Sequence, residues 1–259
     1  LMNAGSKSTL PILNKSRLSD WPIPLPPLGE QKRIAGILNE QMAAVEEAKK
    51  AAQQRLKAAK ALPAAYLREV LPSSEDELPA SWKWVKLGDM AEAIRGVTFK
   101  SAESLNESKE GYVRCVTTSA VQLQPDWSTA RYIPANAVKR NDQILRVGDV
   151  LVSTANSKAL VGKSCLIDGV PFECTFGAFV TVVRPHTNIE HRWLANCMNA
   201  DSAKRFFYDK SSNTTNISNL KVSDLLEVEI PLPPLGEQQQ IASELDDKFA
   251  GVKLAEASI

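Results

Sequence analysis

Apolar residues between Leu28 and Val70 recur at helical intervals. Ile34, Leu38, Gln41, Val45, Ala48 and Ala52 follow a 4-3-4-3-4 spacing, and Leu56, Ala59, Leu62 and Tyr66 resume it after a one-residue slip. This spacing predicts one long helix carrying a coiled-coil seam. At ~1.5 Å per residue such a helix is a rod of roughly 65 Å, with alanines that keep the seam thin for an antiparallel partner. Pro63 is expected to kink its last turns. A shorter stretch near the chain end, with Ile241, Leu245, Phe249 and Val252, repeats the pattern.

The residues between these helices alternate differently. Val113 to Thr117, Tyr132 to Ile133, Val150 to Thr154, Ser164 to Ile167 and Ala178 to Val183 read as strands, with turns at Val147-Gly148-Asp149 and Asp168-Gly169. A single helix is predicted from Glu190 to Tyr208, because Trp193, Leu194, Cys197, Met198 and Phe206 share a side. The expected fold class is α/β (α+β): one globular domain with a curved, mainly antiparallel sheet, plus long helices.

An exact repeat organises these pieces. The octapeptide PLPPLGEQ occurs at Pro24 to Gln31 and again at Pro231 to Gln238, 207 positions later, and each copy opens a helical stretch. Arg17-Leu18-Ser19-Asp20 before the first copy parallels Lys221-Val222-Ser223-Asp224 before the second, and Asn/Ser/Thr-rich runs precede both. What repeats is a domain end, a proline turn and a helix start. Pro24, Pro26 and Pro27 hold the backbone extended, and Glu30 sits at the positive end of the following helix.

Composition narrows the chemistry. Across 259 residues the formal net charge is +1, which excludes a uniformly basic nucleic-acid coat. From Trp82 to Lys210, however, 17 Lys/Arg face 13 Asp/Glu, a surplus that permits phosphate binding. Cys115, Cys165, Cys174 and Cys197 are scattered without C-x-x-C spacing, and His186 and His191 have no cysteine near enough for a zinc site, so reduced, packed cysteines are expected. No apolar run approaches the roughly 18 residues of a membrane span, and the chain start has no signal pattern; a cytoplasmic location is expected.

Gly162-Lys163-Ser164 invites a phosphate-loop reading, but the pattern needs glycine at 157, where Ser157 stands, and a strand rather than a helix is expected to follow. Neither a carboxylate-lysine nuclease segment, nor a Ser/His/Asp arrangement, nor a glycine-rich loop for a dinucleotide or S-adenosylmethionine is present. The chain is therefore read as non-catalytic. It does offer polar loops with cationic and amide side chains: Arg95 to Lys100, Thr154 to Lys158, and Lys210 to Asn216. Arg and Lys read guanine edges, Asn and Gln read adenine, and Ser, Thr and Lys hold phosphates. Surface loops are normally polar, so these loops alone leave an ordinary surface open.

The order of segments adds to this. PLPPLGEQ before a long helix, Leu78-Pro79-Ala80-Ser81-Trp82-Lys83-Trp84-Val85-Lys86-Leu87-Gly88-Asp89, the turn-strand Arg146-Val147-Gly148-Asp149-Val150-Leu151 and the Asn/Ser/Thr-rich run before the second PLPPLGEQ resemble the specificity subunit of type I restriction-modification systems. The resemblance implies two target recognition domains held apart by antiparallel conserved helices, each domain reading half of a bipartite DNA site. It implies that residues 1–22 are the tail of a preceding target recognition domain, 23–72 a proline junction and spacer helix, 73–230 a target recognition domain, and 231–259 a second junction and the start of a second spacer helix. A chain with one such domain is either a half-subunit that self-dimerises through its spacer helices or part of a longer chain. Partners implied are double-stranded DNA, methylation subunits that use S-adenosylmethionine and a restriction subunit that uses ATP and Mg; no cofactor is expected in this chain. Candidate DNA-binding residues are Arg95, Lys100, Arg114, Asn156, Lys158, Lys163, Lys210 and Asn213, with Phe99 a stacking or core aromatic. The competing reading is a coiled-coil assembly scaffold whose middle domain binds protein.

Overall fold

Val150, Leu151, Val152 and Ser153 are all buried, and a strand whose alternate side chains are both hidden must be covered on both faces. The computed structural model, which describes residues 15–19, 21–73, 77–213 and 217–258 without the side chains of Ser16, Arg17 and Asn213, shows what covers it. The elements are α1 (Lys15–Ser19), α2 (Leu28–Val70), β1 (Lys83–Lys86), β2 (Ala91–Arg95), β3 (Tyr112–Val116), β4 (Arg131–Pro134), β5 (Val150–Ser153), β6 (Ala155–Asn156), β7 (Ser164–Leu166), β8 (Cys174–Phe176), β9 (Val180–Pro185), α3 (His191–Met198), α4 (Asp201–Lys210), β10 (Ser212–Asn213), β11 (Ser218–Asn219), α5 (Val222–Leu226), β12 (Glu229–Leu232) and α6 (Leu235–Ala257). Four sheets result, ordered β2-β9-β5-β7, β4-β3-β8, β10-β11-β6 and β1-β12. Among the described residues every named strand pairing is antiparallel except β3 with β8. The mixed, mainly antiparallel class expected from the pattern is the class observed.

The chain divides into two units, Leu1–Leu56 and Lys57–Ile259. In the second, Val150, Val152 and Val183 join a core with Trp193, Leu194, Met198, Phe207, Leu225 and Leu245, to which Leu67 and Leu71 also belong. The other face of the four-stranded sheet, with Ile94, Leu151 and Val182, packs on Val116, Cys174 and Phe176 of the three-stranded sheet. Burial pushes the thiols of Cys165 and Cys174 up to about 12, and those of Cys115 and Cys197 also rise, so all four are packing groups. In the first unit, residues 28–56 of α2 are helical, and the seam residues Ile34, Leu38 and Val45 are exposed. α2 stays helical through Pro63. Among the described residues no helix is long and apolar enough to cross a membrane.

Both copies of the octapeptide turn in the same way. Glu30 N and Gln31 N donate to Pro27 O at 2.9 and 3.0 Å, and Glu237 N and Gln238 N donate to Pro234 O at the same distances. Gln31 Nε2 reaches back to Pro26 O at 2.7 Å, as Gln238 Nε2 does to Pro233 O at 2.9 Å. Gln238, 2% exposed, also accepts the backbone N–H of Glu190 at 3.0 Å, tying α6 to the start of α3. Trp82 Nε1 donates to Glu237 at 3.0 Å, and its ring meets Trp193 edge to face at 5.5 Å. The second copy begins inside a strand: Pro231 and Leu232 are the end of β12, paired with Trp84 and Lys83. Proline is tolerated because β12 has a single neighbour strand.

The helix expected over 190–208 is two helices. Asn199 turns its side-chain amide onto Ala195 O at 3.0 Å, and Ala200 is extended, with φ −65° and ψ 152°. The break lets Asp201 begin a second N-terminus and rotates Phe207, rather than Phe206, fully into the core.

Candidate nucleic-acid interface

At one end of the four-stranded sheet Arg95 closes β2 opposite Thr181, Ser153 closes β5 opposite Val180, and Ser164 opens β7 opposite Val152. The connections there are the 96–111 segment, the 154–163 loop and the turn at 177–179. They approach closely: a Cβ on Gly96 would lie 2.2 Å from Gly177 O, so the backbone itself forms this contact. Val97 bridges Gly177 in parallel, which fixes the path toward exposed Lys100. β6 within the 154–163 loop pairs with β11, and β11 with β10, adding a small sheet to the same end.

The predicted residues do different work in this setting. Arg95 and Lys100 are exposed, and among the described residues no hydrogen bond or ion pair engages either cationic head. Lys163 donates to Gln122 Oε1 of the segment following β3. Asn156 closes its own loop: Nδ2 donates to Ser153 Oγ at 3.0 Å and Oδ1 accepts Ser157 N at 2.8 Å. Lys158 uses all three ammonium protons inside the chain, on Tyr208 O, and on Ser211 O and Oγ at 2.9 Å each. It thereby caps the C-terminus of α4, where carbonyls and helix dipole favour a cation. Lys210, exposed, is carried to the same end by this anchor, its Nζ 5.6 Å from the Phe206 ring centroid. Arg114 stands apart in the three-stranded sheet, its guanidinium 3.7 Å from the Phe172 ring centroid and its Nε bonded to Tyr132 OH at 2.9 Å. Phe99 packs partly buried against Val97, Cys115 and Ile133, a core role. Asn213 lies in β10, with its side chain outside the described residues, as are Thr214 to Asn216 of the same predicted loop.

Two further cations join the cluster that sequence reading did not select. A cleft of about 340 Å³ is lined by Lys158, Lys163, Lys204 and Arg205 with Ala159, Leu160, Val161 and Tyr208, and by no carboxylate. Lys204 is exposed overall, and desolvation of its ammonium lowers its pKa, opposed in part by Asp201 nearby. Helical position could have flagged Lys204 and Arg205, but nothing in their spacing says that α4 lays them beside the 158–163 turn. Gly162, with φ +82°, has Phe207 within 2.7 Å of any Cβ, so it serves a tight turn against the core before β7. That is packing, not the nucleotide loop whose pattern the sequence already failed. Among the described residues, no group of three His, Cys, Asp or Glu side chains could hold a metal ion.

The opposite end of the sheet is polar in another manner. Arg184 pairs with buried Asp149 through two bonds of 2.7 and 2.8 Å, and the carboxylate raises the Arg184 pKa despite burial. The turn at Val147-Gly148-Asp149 is thus locked, with Arg146 N on Asp149 Oδ2 at 2.8 Å.

Comparison with known proteins places this arrangement. A family model described as the type I restriction modification DNA specificity domain matches residues 1–57 and 79–258. The chain is 33% identical over 185 residues to the type I restriction enzyme EcoKI specificity subunit of Escherichia coli (strain K12), a match covering 71% of this chain and 39% of that protein. It is 31% identical over 187 residues to the StySPI specificity subunit of Salmonella potsdam, again covering 71% and 39%. The matched segment thus spans about two-fifths of these relatives' length. Among solved structures, a chain from a study of assembly and conformational transition of the type I restriction-modification system superposes with a TM-score of 0.76 at 28% identity, covering 97% of this chain and 60% of that one. The HsdS subunit from Thermoanaerobacter tengcongensis superposes with a TM-score of 0.59 at 26% identity, covering 99% and 61%. With the family model matched along most of its length, the chain belongs to the type I restriction-modification DNA specificity family.

Proposed function

We propose that this chain is the sequence-specific DNA-recognition component of a type I restriction-modification complex and reads one half of a bipartite target. The observation that carries the reading is a cleft lined by Lys158, Lys163, Lys204 and Arg205 and by no carboxylate, at the end of the sheet where Arg95 closes β2 and exposed Lys100 and Lys210 lie in the adjoining segments. Cations of this kind attract and position a phosphate backbone, and loops built on fixed strands present side chains to base edges. Residues 73–230 act as the target recognition domain, with 23–72 and 231–259 as proline junctions and spacer helices that pair in a coiled coil. Within the predicted set, Arg95, Lys100, Lys163, Lys210 and Asn213 face DNA, Arg114 contributes from the neighbouring sheet, and Asn156 and Lys158 hold the loop that borders it. The chain itself is non-catalytic and binds no cofactor: cytoplasmic methylation subunits using S-adenosylmethionine and a restriction subunit using ATP and Mg dock on the spacer helices, which also offer a self-dimer surface.

Discrimination per good base contact is only about 1–3 kcal/mol, so one such domain needs a second reading at fixed spacing to single out a site. Methylome sequencing of a cell carrying the intact system gives the target. The purified complex is then expected to prefer that duplex over a random one at moderate salt. Equal binding of the two would exclude sequence recognition and leave a protein-binding scaffold.

A further inference from the structure

Phe179 is 61% exposed, yet its backbone is firmly held. Its carbonyl accepts Thr154 N at 3.0 Å, Ala155 N at 3.3 Å and Thr154 Oγ1 at 3.3 Å, and Val180 N closes the preceding turn on Gly177 O at 2.8 Å. The backbone that presents the ring is therefore fixed. A single exposed apolar side chain needs no explanation, but Phe179 has company. Among the described residues of the Lys57–Ile259 unit nine large apolar side chains are exposed, and five of them, Leu123, Leu160, Phe179, Tyr208 and Ile217, lie in segments meeting at the cationic end of the sheet. Leu123 follows Gln122, the partner of Lys163; Tyr208 O accepts Lys158; and Ile217 precedes Ser218, which pairs with Asn156.

Phe179 is tied to two of these segments. Two residues on, Thr181 pairs with Arg95, while the Thr154 and Ala155 amides on its carbonyl lead directly to Asn156. An apolar protein partner here would have to desolvate Arg95 and Lys163 without compensation. DNA supplies phosphates for the cations and, among the groups exposed in its major groove, one apolar feature: the thymine 5-methyl group. We propose that Phe179 is a specificity-determining residue whose ring contacts the methyl group of a thymine in the target. This rests on the DNA-reading function proposed above.

The test is a deoxyuridine scan. In the target duplex defined by methylome sequencing, each thymine is replaced in turn by uracil, which removes only the methyl group, and binding is measured for the purified complex carrying the full chain. The wild-type complex is expected to lose roughly 5- to 10-fold in affinity at one thymine. Phe179→Ala is expected to bind the thymine duplex with a similar loss and to be insensitive to uracil at that position, with the salt dependence unchanged because no phosphate contact is removed. If Phe179→Ala lowers the melting temperature, Phe179→Leu, which keeps apolar bulk, carries the same scan. Identical uracil sensitivity of variant and wild type at every thymine overturns the proposal. So does a variant that reads DNA normally but no longer assembles with the methylation subunits, since the ring then serves a protein contact. A wild-type complex with no preference for its target removes the DNA-reading function itself, an outcome separate from either.

Discussion

Lys158 and Lys100 are the same residue type at the same end of the sheet, with different tasks. The ammonium of Lys158 is tied to the end of α4 through partners about fifty residues away, whereas that of Lys100 meets no partner among the described residues. Lys158→Ala should therefore lower stability by about 1.5–3 kcal/mol, the worth of charge-assisted hydrogen bonds, as read from denaturant midpoints. Lys100→Ala should leave the midpoint unchanged and reduce the salt slope of DNA binding by about 1. Sequence reading selected both on residue type alone, because a lysine's long-range hydrogen bonds leave no local trace. Gly162 is the contrasting case, since a failed motif spacing is a local signal.

At the scale of elements, strong periodicity was read well and short or interrupted pieces were not. The helix starts at Leu28 and Leu235 and the strands around Val113, Val150 and Ala178 carry their apolar pattern openly. β1 and β12 are four residues each, and one contains a proline, so no alternation distinguishes them from a spacer. The break at Asn199-Ala200 is set by a side-chain amide turning back onto its own helix, which composition does not announce. The start of α3 carries a pH-dependent contribution. Burial alone would raise the Glu190 pKa, but the hydrogen bond from Arg192 and the nearby His191 outweigh it and hold the carboxyl below its ordinary 4.5. A depressed carboxyl stabilises the fold above that ordinary value, and the contribution is lost as pH falls through the lowered one. Denaturant midpoints taken between neutral pH and about pH 3 should accordingly fall more steeply for the wild type than for Glu190→Gln, where the group no longer titrates.

For the whole molecule, a net charge of +1 conceals its arrangement. Charge gathers where loops converge, and that convergence depends on sheet order, which sequence spacing does not reveal. Removing Lys163, Lys204 and Arg205 together should weaken binding to target and random duplexes by similar factors and lower the salt slope by roughly 3, because each neutralised phosphate contributes about one counterion. Equal slopes for variant and wild type would place the DNA path elsewhere on the surface. The repeated octapeptide is the most legible feature, since its two copies lie at the starts of α2 and α6.

The division of labour inside the 154–163 loop has a consequence for how such a protein changes over generations. Asn156 and Lys158 hold the loop from within, while Arg95, Lys100 and Phe179 point outward from strands and turns that do not depend on their side chains. Under the DNA-reading function proposed above, mutations at the outward positions alter what is read without a folding penalty, so a lineage would acquire new targets by single steps, each intermediate still a stable protein.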